Sequence, residues 1–593
     1  MRKKVMRKDM IAVLKDLYRH KYTYILRATI LQLLITTVGA YVLSLLIRVV
    51  LVGSDIPGMT TDNIFSFLTN PLTLSVLVIY LFLLAFLVYL EFSLLVEIVR
   101  HKEAKLRLTW MRLKEEAIYF FKAISGWHFL AFLVYLILTI PFLNVMFSSA
   151  LLENLYIPKF ISGELSKTAN GKLLYYGLYL VLGYLNLRFL YTLPLTVTGK
   201  GERFGRHMAT SWQLTRGKKI FKLFGLAIVL ISVIAVVAVF SFLGISLAAL
   251  VDGVDKSFWF ETLFLSFVWG VLFAGRLLFK LASISYLLQV IENSSSTLAP
   301  ANQGNRRHRL LALAGLILVI GGMNYIYNVL KVSGEPVEHL EVIAHRGMVS
   351  QGVENSLEAL EGAANAGADY AEMDIILSKD QQFIVSHDDN LKRLTGKDIT
   401  ISQSNAKDVI GLKTSQNGYQ SQIISFEDYV AKAKQLGIKL LVELKPTGNE
   451  PANYEQLFVD KMKELGVEKS YMTMSADLKT IETVEKLDPA IKTGYTISLQ
   501  IGNFTSQKVD FYAIEDFSYN ELLARTAHKN GKKIYVWTIN STDDIEKYVK
   551  TSTDGIITDY PDLVRDIEVY LANDNSYLDY FLRLTNLSWI ENL

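Results

Sequence analysis

Ala344-His345-Arg346-Gly347 and, twenty residues on, Ala368-Asp369-Tyr370-Ala371-Glu372-Met373-Asp374-Ile375-Ile376 decide the fold of this 593-residue chain. Each stretch is a short apolar run ending in polar, titratable groups, and the segment 356–366 between them has helical periodicity. That is a strand, a helix and a second strand, with the chemistry at the carboxyl ends of the strands. Working outward, the same alternation continues. Strands are predicted over 342–344, 370–376, 439–444, 471–474, 491–497, 511–514, 534–539 and 555–558. Helical patterns lie at 356–366, 426–436, 454–465, 478–487 and 519–530. Eight strands alternating with helices over about 230 residues predict a (β/α)₈ TIM barrel. The run Phe383-Ile384-Val385 reads as a hairpin strand returning from Ile376. The polar stretch 388–425 is too long for an ordinary connection and reads as an insertion near the mouth.

The titratable residues converge by the same logic. Glu372 and Asp374 stand two apart on one strand and point the same way, and Glu443 and Lys445 repeat that spacing on the next barrel strand. His345 and Arg346 follow the first strand, and the hairpin carries His387 back to the same end. Two imidazoles, three carboxylates and two cations therefore meet at the rim where barrel enzymes place their chemistry. Carboxylates hold hard divalent ions, paired histidines move protons, and arginine with lysine grips phosphate. This is equipment for phosphodiester hydrolysis.

The rest of the chain differs in kind. Residues 1–330 hold 34 Lys+Arg against 16 Asp+Glu, and residues 331–593 hold 27 against 41. Apolar residues make up 51% and mean hydropathy is +0.28, too high for a purely soluble protein. The acidic second half argues against a nucleic-acid partner. Cysteine is absent, which excludes thiolate metal sites and thiol nucleophiles. Seven apolar stretches are long enough to span a bilayer, at about 28–52, 72–94, 126–148, 173–196, 221–251, 259–288 and 310–330. Basic residues alternate between them. Residues 1–23 carry eight, 53–71 none, 100–122 seven, 149–172 three, 199–222 seven and 252–258 one. Positive charge stays inside, so the amino terminus is expected in the cytoplasm and everything beyond residue 330 outside the cell. Arg188, Arg276 and Lys280 lie within spans and are expected to snorkel to the interface, and the amphipathic stretch 98–122 to lie along the inner leaflet.

With these motifs assembled, the chain resembles the glycerophosphodiester phosphodiesterase family. The likeness is carried by His345-Arg346-Gly347, Glu354-Asn355-Ser356, Gly367-Ala368-Asp369, Glu372-x-Asp374, Ser386-His387-Asp388, Glu443-x-Lys445, Val536-Trp537-Thr538-Ile539-Asn540 and Asp554–Pro561, and covers residues 341–566. The hydrophobic half is similar in architecture to a membrane domain attached to some bacterial members. Ser356 stands where threonine is usual, and Met474-Ser475-Ala476 replaces a common Ser-Phe. The resemblance implies that Glu372, Asp374 and Glu443 bind the metal, that His345 and His387 act as general base and acid, and that Arg346 and Lys445 hold the phosphate. It also implies that Trp537 packs on the glycerol. An all-oxygen carboxylate set favours one divalent ion, Ca²⁺ or Mg²⁺, over zinc. Asn355 is expected to orient the metal ligands. Asp388 and Asp559 read as loop and cap residues, with support of His387 as the alternative for Asp388; Glu354 has no assigned role, and the other seven histidines read as structural.

The expected organisation is a polytopic helical membrane domain over 1–335, a barrel over 336–566 and an aromatic tail over 567–593. The expected activity is hydrolysis of glycerophosphodiesters to glycerol phosphate and an alcohol at the outer face. A Gram-positive cell, with membrane lipid and polyglycerolphosphate teichoic acid at hand, fits that setting. Lysophospholipase D-type cleavage, or a lipid-binding or transport module with an accessory hydrolase, are the alternatives. Two routes are open to the attack, directly by water or through a cyclic phosphate.

Overall fold

The structure is a computed structural model that describes residues 2–53, 58–60, 70–100, 110–139, 149, 151–152, 169–252, 258–292, 306–332, 340–504 and 508–572. The expected aromatic tail beyond residue 572 lies outside the described residues.

Eight parallel strands form the barrel: β1 (Glu341–Ala344), β2 (Tyr370–Leu377), β3 (Lys439–Leu444), β4 (Met472–Ser475), β5 (Lys492–Ile497), β6 (Phe511–Glu515), β7 (Lys533–Trp537) and β8 (Gly555–Thr558). They pair in chain order, and β1 closes the ring by bonding both β8 and β2. Alternation sorts each strand. On β2, Ala371, Met373 and Ile375 pack outward against the helices, while Ile343, Leu441, Met474, Phe511 and Tyr535 help to fill the lumen. Helix boundaries follow local chemistry. Ser356, Ser425 and Asp477 each accept a hydrogen bond from the third residue into their helices, and Gly437 ends the 426–436 helix at φ 72°. Serine at 356 thus performs the capping that the usual threonine would.

The 388–425 insertion is ordered around its own small core. Leu391, Ile401, Ala406, Val409 and Ile423 pack on Ile376 and Ile384. A two-stranded hairpin, Lys413–Gln416 with Tyr419–Gln422, projects from it.

Among the described residues of the amino-terminal half, six helices are long and apolar enough to cross a membrane: Arg7–Val49, Pro71–Arg100, Asn170–Thr198, Lys219–Gly244, Thr262–Glu292 and Leu310–Val329. At the remaining expected span, helix His128–Thr139 is bent 96° from the Leu113–Ile124 segment, and the pair makes a seventh span if counted as one. Residues 140–148 lie outside the described set.

Two intramembrane cations do not snorkel as expected. Lys280 is buried and donates to Glu91 at 3.2 Å, and Glu91 also accepts from Gln32 (2.7 Å) and Ser149 (2.5 Å). Arg188 is buried too, and caps the end of the 204–214 helix through the carbonyls of Thr215 and Trp212, with its guanidinium 4.2 Å from the Trp212 ring centre. In an apolar surrounding a charge satisfied by a partner outcompetes one stretched to water. Arg276 is exposed. Lys280→Met should therefore cost about 3–5 kcal/mol by stranding Glu91. Thermal unfolding of the full-length protein in detergent checks this, with the Lys280→Met/Glu91→Gln double variant expected to recover most of the loss. Equal melting of single variant and wild type would contradict it.

Candidate active site

The barrel rim is built where β1, β2, β3 and β8 end. In the β2–β3 register Asp374 lies beside Glu443, and Glu372 is one inward-facing step below Asp374. Carboxylate oxygens of Glu372, Asp374 and Glu443 all lie within 4.8 Å of one another. Glu372 and Asp374 are each 1% exposed. Water therefore does little to soften their mutual repulsion. Burial, then the charges of Asp374 and Glu443, push the Glu372 carboxyl well above its ordinary range. Burial lifts Glu443 as well, against the pull of Lys445. Burial would also raise Asp374, but Lys445, His387, Arg346 and the Asn355 amide together hold it well below the usual carboxylate range.

Two of these oxygens, Glu372 Oε1 and Asp374 Oδ1, are buried and accept no hydrogen bond, the second lying 3.5 Å from the Lys445 ammonium. Buried acceptors are rarely left so. Three clustered carboxylates, two of whose buried oxygens accept no hydrogen bond, fit a hard divalent cation. A cation binds carboxylates in their ionised form, so it competes with protons at Glu372 and Glu443, whose burial favours the protonated form. Between the ordinary glutamate value of about 4.3 and the raised native value, the folded metal-free protein binds more protons than the unfolded chain. The contribution of this pair to stability is thus lost as pH rises through that window. The Tm increase produced by Ca²⁺ or Mg²⁺ should accordingly be larger near neutrality than in mild acid, and a pH-independent increase would contradict this.

Neighbouring groups hold the carboxylates in place. The Arg346 backbone N–H donates to Glu372 Oε2 at 2.7 Å. Asn355 bridges side chain and main chain of Asp374, donating at 2.8 Å and accepting from its N–H at 3.2 Å. Arg346 and Asn355 both adopt left-handed backbone, φ 55° and 60°. Such strain persists where the surroundings over-determine it. Gly347 (φ 77°) lets this turn press on the next helix, since a Cβ there would sit 2.8 Å from the Ala359 carbonyl carbon. Arg346 Nε lies 3.5 Å from Asp374, and Lys445 Nζ is 3.5 Å from Asp374 and 3.8 Å from Glu443.

The two histidines are held alike. His345 Nδ1 is 2.7 Å from Asp559, whose other oxygen accepts from Asn540 at 2.6 Å. His387 Nδ1 is 2.7 Å from Asp388, whose other oxygen accepts from Arg393 Nε at 2.6 Å. A carboxylate at Nδ1 selects the tautomer that leaves Nε2 for proton transfer, and neither Nε2 has a hydrogen-bond partner among the described residues. Burial works against both aspartates, yet His345 holds Asp559, and His387 with Arg393 hold Asp388, below the ordinary range. Asp559 is therefore more than the cap residue its sequence context implied, and Asp388 makes the contact to His387 that was the alternative to a loop role. Arg393 also binds Glu354 (2.9 Å), which bonds Arg346 (3.1 Å) and Gln416 of the insertion hairpin (2.6 Å). One chain of bonds thus joins the insertion to both Arg346 and the His387 pair. Trp537, half-buried at the end of β7, donates to the Ala513 carbonyl at 3.0 Å and packs on the lumen residues.

Residues 10–326, more than half the chain, match the model of the membrane domain of glycerophosphoryl diester phosphodiesterase, and residues 345–563 match the glycerophosphoryl diester phosphodiesterase family. The chain belongs to this family. Among relatives, a glycerophosphodiester phosphodiesterase of Caldanaerobacter subterraneus is 28% identical over 37% of this chain and 94% of its own. Human lysophospholipase D GDPD1 is 25% identical over 38% and 84%. A solved phosphodiesterase of Oleispira antarctica, in complex with the product sn-glycerol-3-phosphate, is 22% identical over 39% and 96%, with TM-score 0.34. The phosphodiesterase thus couples a helical membrane domain to a barrel that hydrolyses glycerophosphodiesters.

Proposed function

We propose that the phosphodiesterase is a metal-dependent enzyme that works at the outer face of the membrane. It cleaves glycerophosphodiesters, polyglycerolphosphate of lipoteichoic acid among them, to glycerol phosphate and an alcohol. The observation that carries the reaction is the largely buried Glu372–Asp374–Glu443 cluster, in which Glu372 Oε1 has no donor, set between two aspartate-held histidines. These three residues would hold one Ca²⁺ or Mg²⁺, which supplies Lewis acidity toward the phosphate when bound. Arg346 and Lys445 hold the phosphate oxygens and stabilise the charge that grows on them. One histidine takes the proton of the attacking oxygen, and the other gives its proton to the departing alkoxide, so that the two exchange protonation states in one turnover. Asn355 orients Asp374, and Trp537 offers an apolar wall for the glycerol carbons.

Sidedness rests on two supports. Basic residues crowd 1–23, 100–122 and 199–222, and 53–71 has none. The short strand Gly58–Thr60 of that uncharged-to-acidic loop pairs with barrel strand Gln500–Gly502. Loop and barrel then share a side whatever the number of spans between them. Protease added to intact cells should cut the 388–425 insertion, and those cells should release glycerol phosphate from added glycerophosphocholine. Release only after lysis would refute the outward orientation. The kinship with a lysophospholipase D keeps membrane lysophospholipids as a second substrate class to be assayed in parallel.

A further inference from the structure

The pairing of Gly58–Thr60 with Gln500–Gly502 reaches further than sidedness. The two strands run antiparallel, with Met59 opposite Ile501 and Thr60 opposite Gln500. Strand 500–502 lies three residues beyond the carboxyl end of β5, on the rim that carries the carboxylate cluster. It is fastened there. The Gln500 N–H donates to Ser518 Oγ at 2.9 Å just after β6, and the Gln500 amide donates to the Asn503 carbonyl at 3.0 Å. Phe504 stacks on Tyr512 of β6 with ring centres 3.8 Å apart. On the other side, helix Ala40–Gly53 ends only five residues before Gly58. An extended chain covers at most about 3.3–3.6 Å per residue, so this part of the rim lies within about 18 Å of that helix end. The barrel mouth is thereby tied down at the membrane rather than held clear of it.

Resting on the phosphodiesterase reading above, we propose that this intramolecular strand addition presents the mouth to the bilayer surface. The substrate class it serves is a glycerol phosphodiester whose second alcohol is anchored in the membrane. In the reaction the phosphorus–oxygen bond to the anchored alcohol breaks, water supplies the new oxygen on phosphorus, and the anchored alcohol leaves with a proton. Main-chain pairing suits this role because it fixes one geometry without depending on particular side chains. Holding the mouth at the surface raises the effective concentration of an embedded headgroup and leaves a dissolved substrate unaffected.

The absence of cysteine makes the contact directly testable in the full-length protein. Met59→Cys/Ile501→Cys, reconstituted in phosphatidylcholine vesicles, should form a disulfide on mild oxidation, because directly opposite antiparallel residues lie within bridging distance. The hairpin pair Thr414→Cys/Ser421→Cys serves as the positive control. A control that bridges while the 59–501 pair does not would overturn the docking. Met59→Pro, which removes a ladder donor, should leave glycerophosphocholine turnover within twofold of wild type. It should lower cleavage of phosphatidylglycerol embedded in phosphatidylcholine at least tenfold. Equal effects on both substrates, or no cleavage of embedded phosphatidylglycerol by wild type, would overturn presentation. Loss of glycerophosphocholine turnover in the wild-type protein would instead strike the underlying enzymatic reading.

Discussion

Glu372→Ala should reduce kcat/KM for glycerophosphocholine by more than about 10³-fold, beyond the ~10–100-fold typical of losing a supporting contact around a metal. The expectation follows from position. Glu372 is buried at 1% exposure, lies within 4.8 Å of two other carboxylates, and keeps one oxygen free of donors. Its charge is costly there unless a cation shares it, which is why its carboxyl is pushed well above the ordinary range. Removing it should abolish metal-dependent stabilisation while leaving the metal-free protein no less stable than wild type, since a repulsive charge disappears. Both quantities come from one pair of melting curves, with and without Ca²⁺ or Mg²⁺, read beside the activity. A Glu372→Ala enzyme that keeps its activity and its metal-induced Tm shift would remove this residue from the proposed metal shell.

The second large effect belongs to the histidines. His345→Ala and His387→Ala should each lower kcat by about 10²–10⁴-fold, the range of positioned acid–base groups. The structure adds a graded test. Asp559→Asn and Asp388→Asn leave the imidazoles in place but remove the acceptors at Nδ1, 2.7 Å away in both cases. Each should cost about 10–100-fold, as loss of an orienting partner does. They should also shift the limb of the pH–rate profile that reports the affected histidine. Wild-type pH profiles in both asparagine variants would mean that these carboxylates only shape the loops.

Much of this architecture was legible from residue order alone, and the reasons are physical. Strands at 439–444 and 555–558 and helices at 426–436 and 478–487 have the bounds that the apolar pattern implied. There, period, cap and turn residue agree, as in Ser425 before and Gly437 after the 426–436 helix. Glu372, Asp374 and Glu443 converge because a two-residue spacing on adjacent parallel strands leaves few other outcomes. Asp559 was underrated although a signal existed. Closing an eight-stranded barrel puts the end of β8 beside the end of β1, and the His345 N–H does bond the Thr558 carbonyl at 2.8 Å. Arg393 and Gln416 carry no such signal, because the insertion's path is set by its own small core and not by the barrel repeat. Lys280 misled for a related reason. Its partner Glu91 lies 189 residues away, and only the packing of the helices reveals which polar groups in a membrane face one another.

The central claim is that one divalent ion, held by Glu372, Asp374 and Glu443, is required for phosphodiester cleavage at the barrel mouth. Its most direct test is a titration of chelator-stripped full-length enzyme, in lipid, with Ca²⁺ or Mg²⁺, following bound ion and glycerol phosphate release from glycerophosphocholine in the same sample. Turnover should be absent without ion and should rise in step with occupancy of a single site per chain. Undiminished turnover in the stripped enzyme, with no ion bound, would contradict the account.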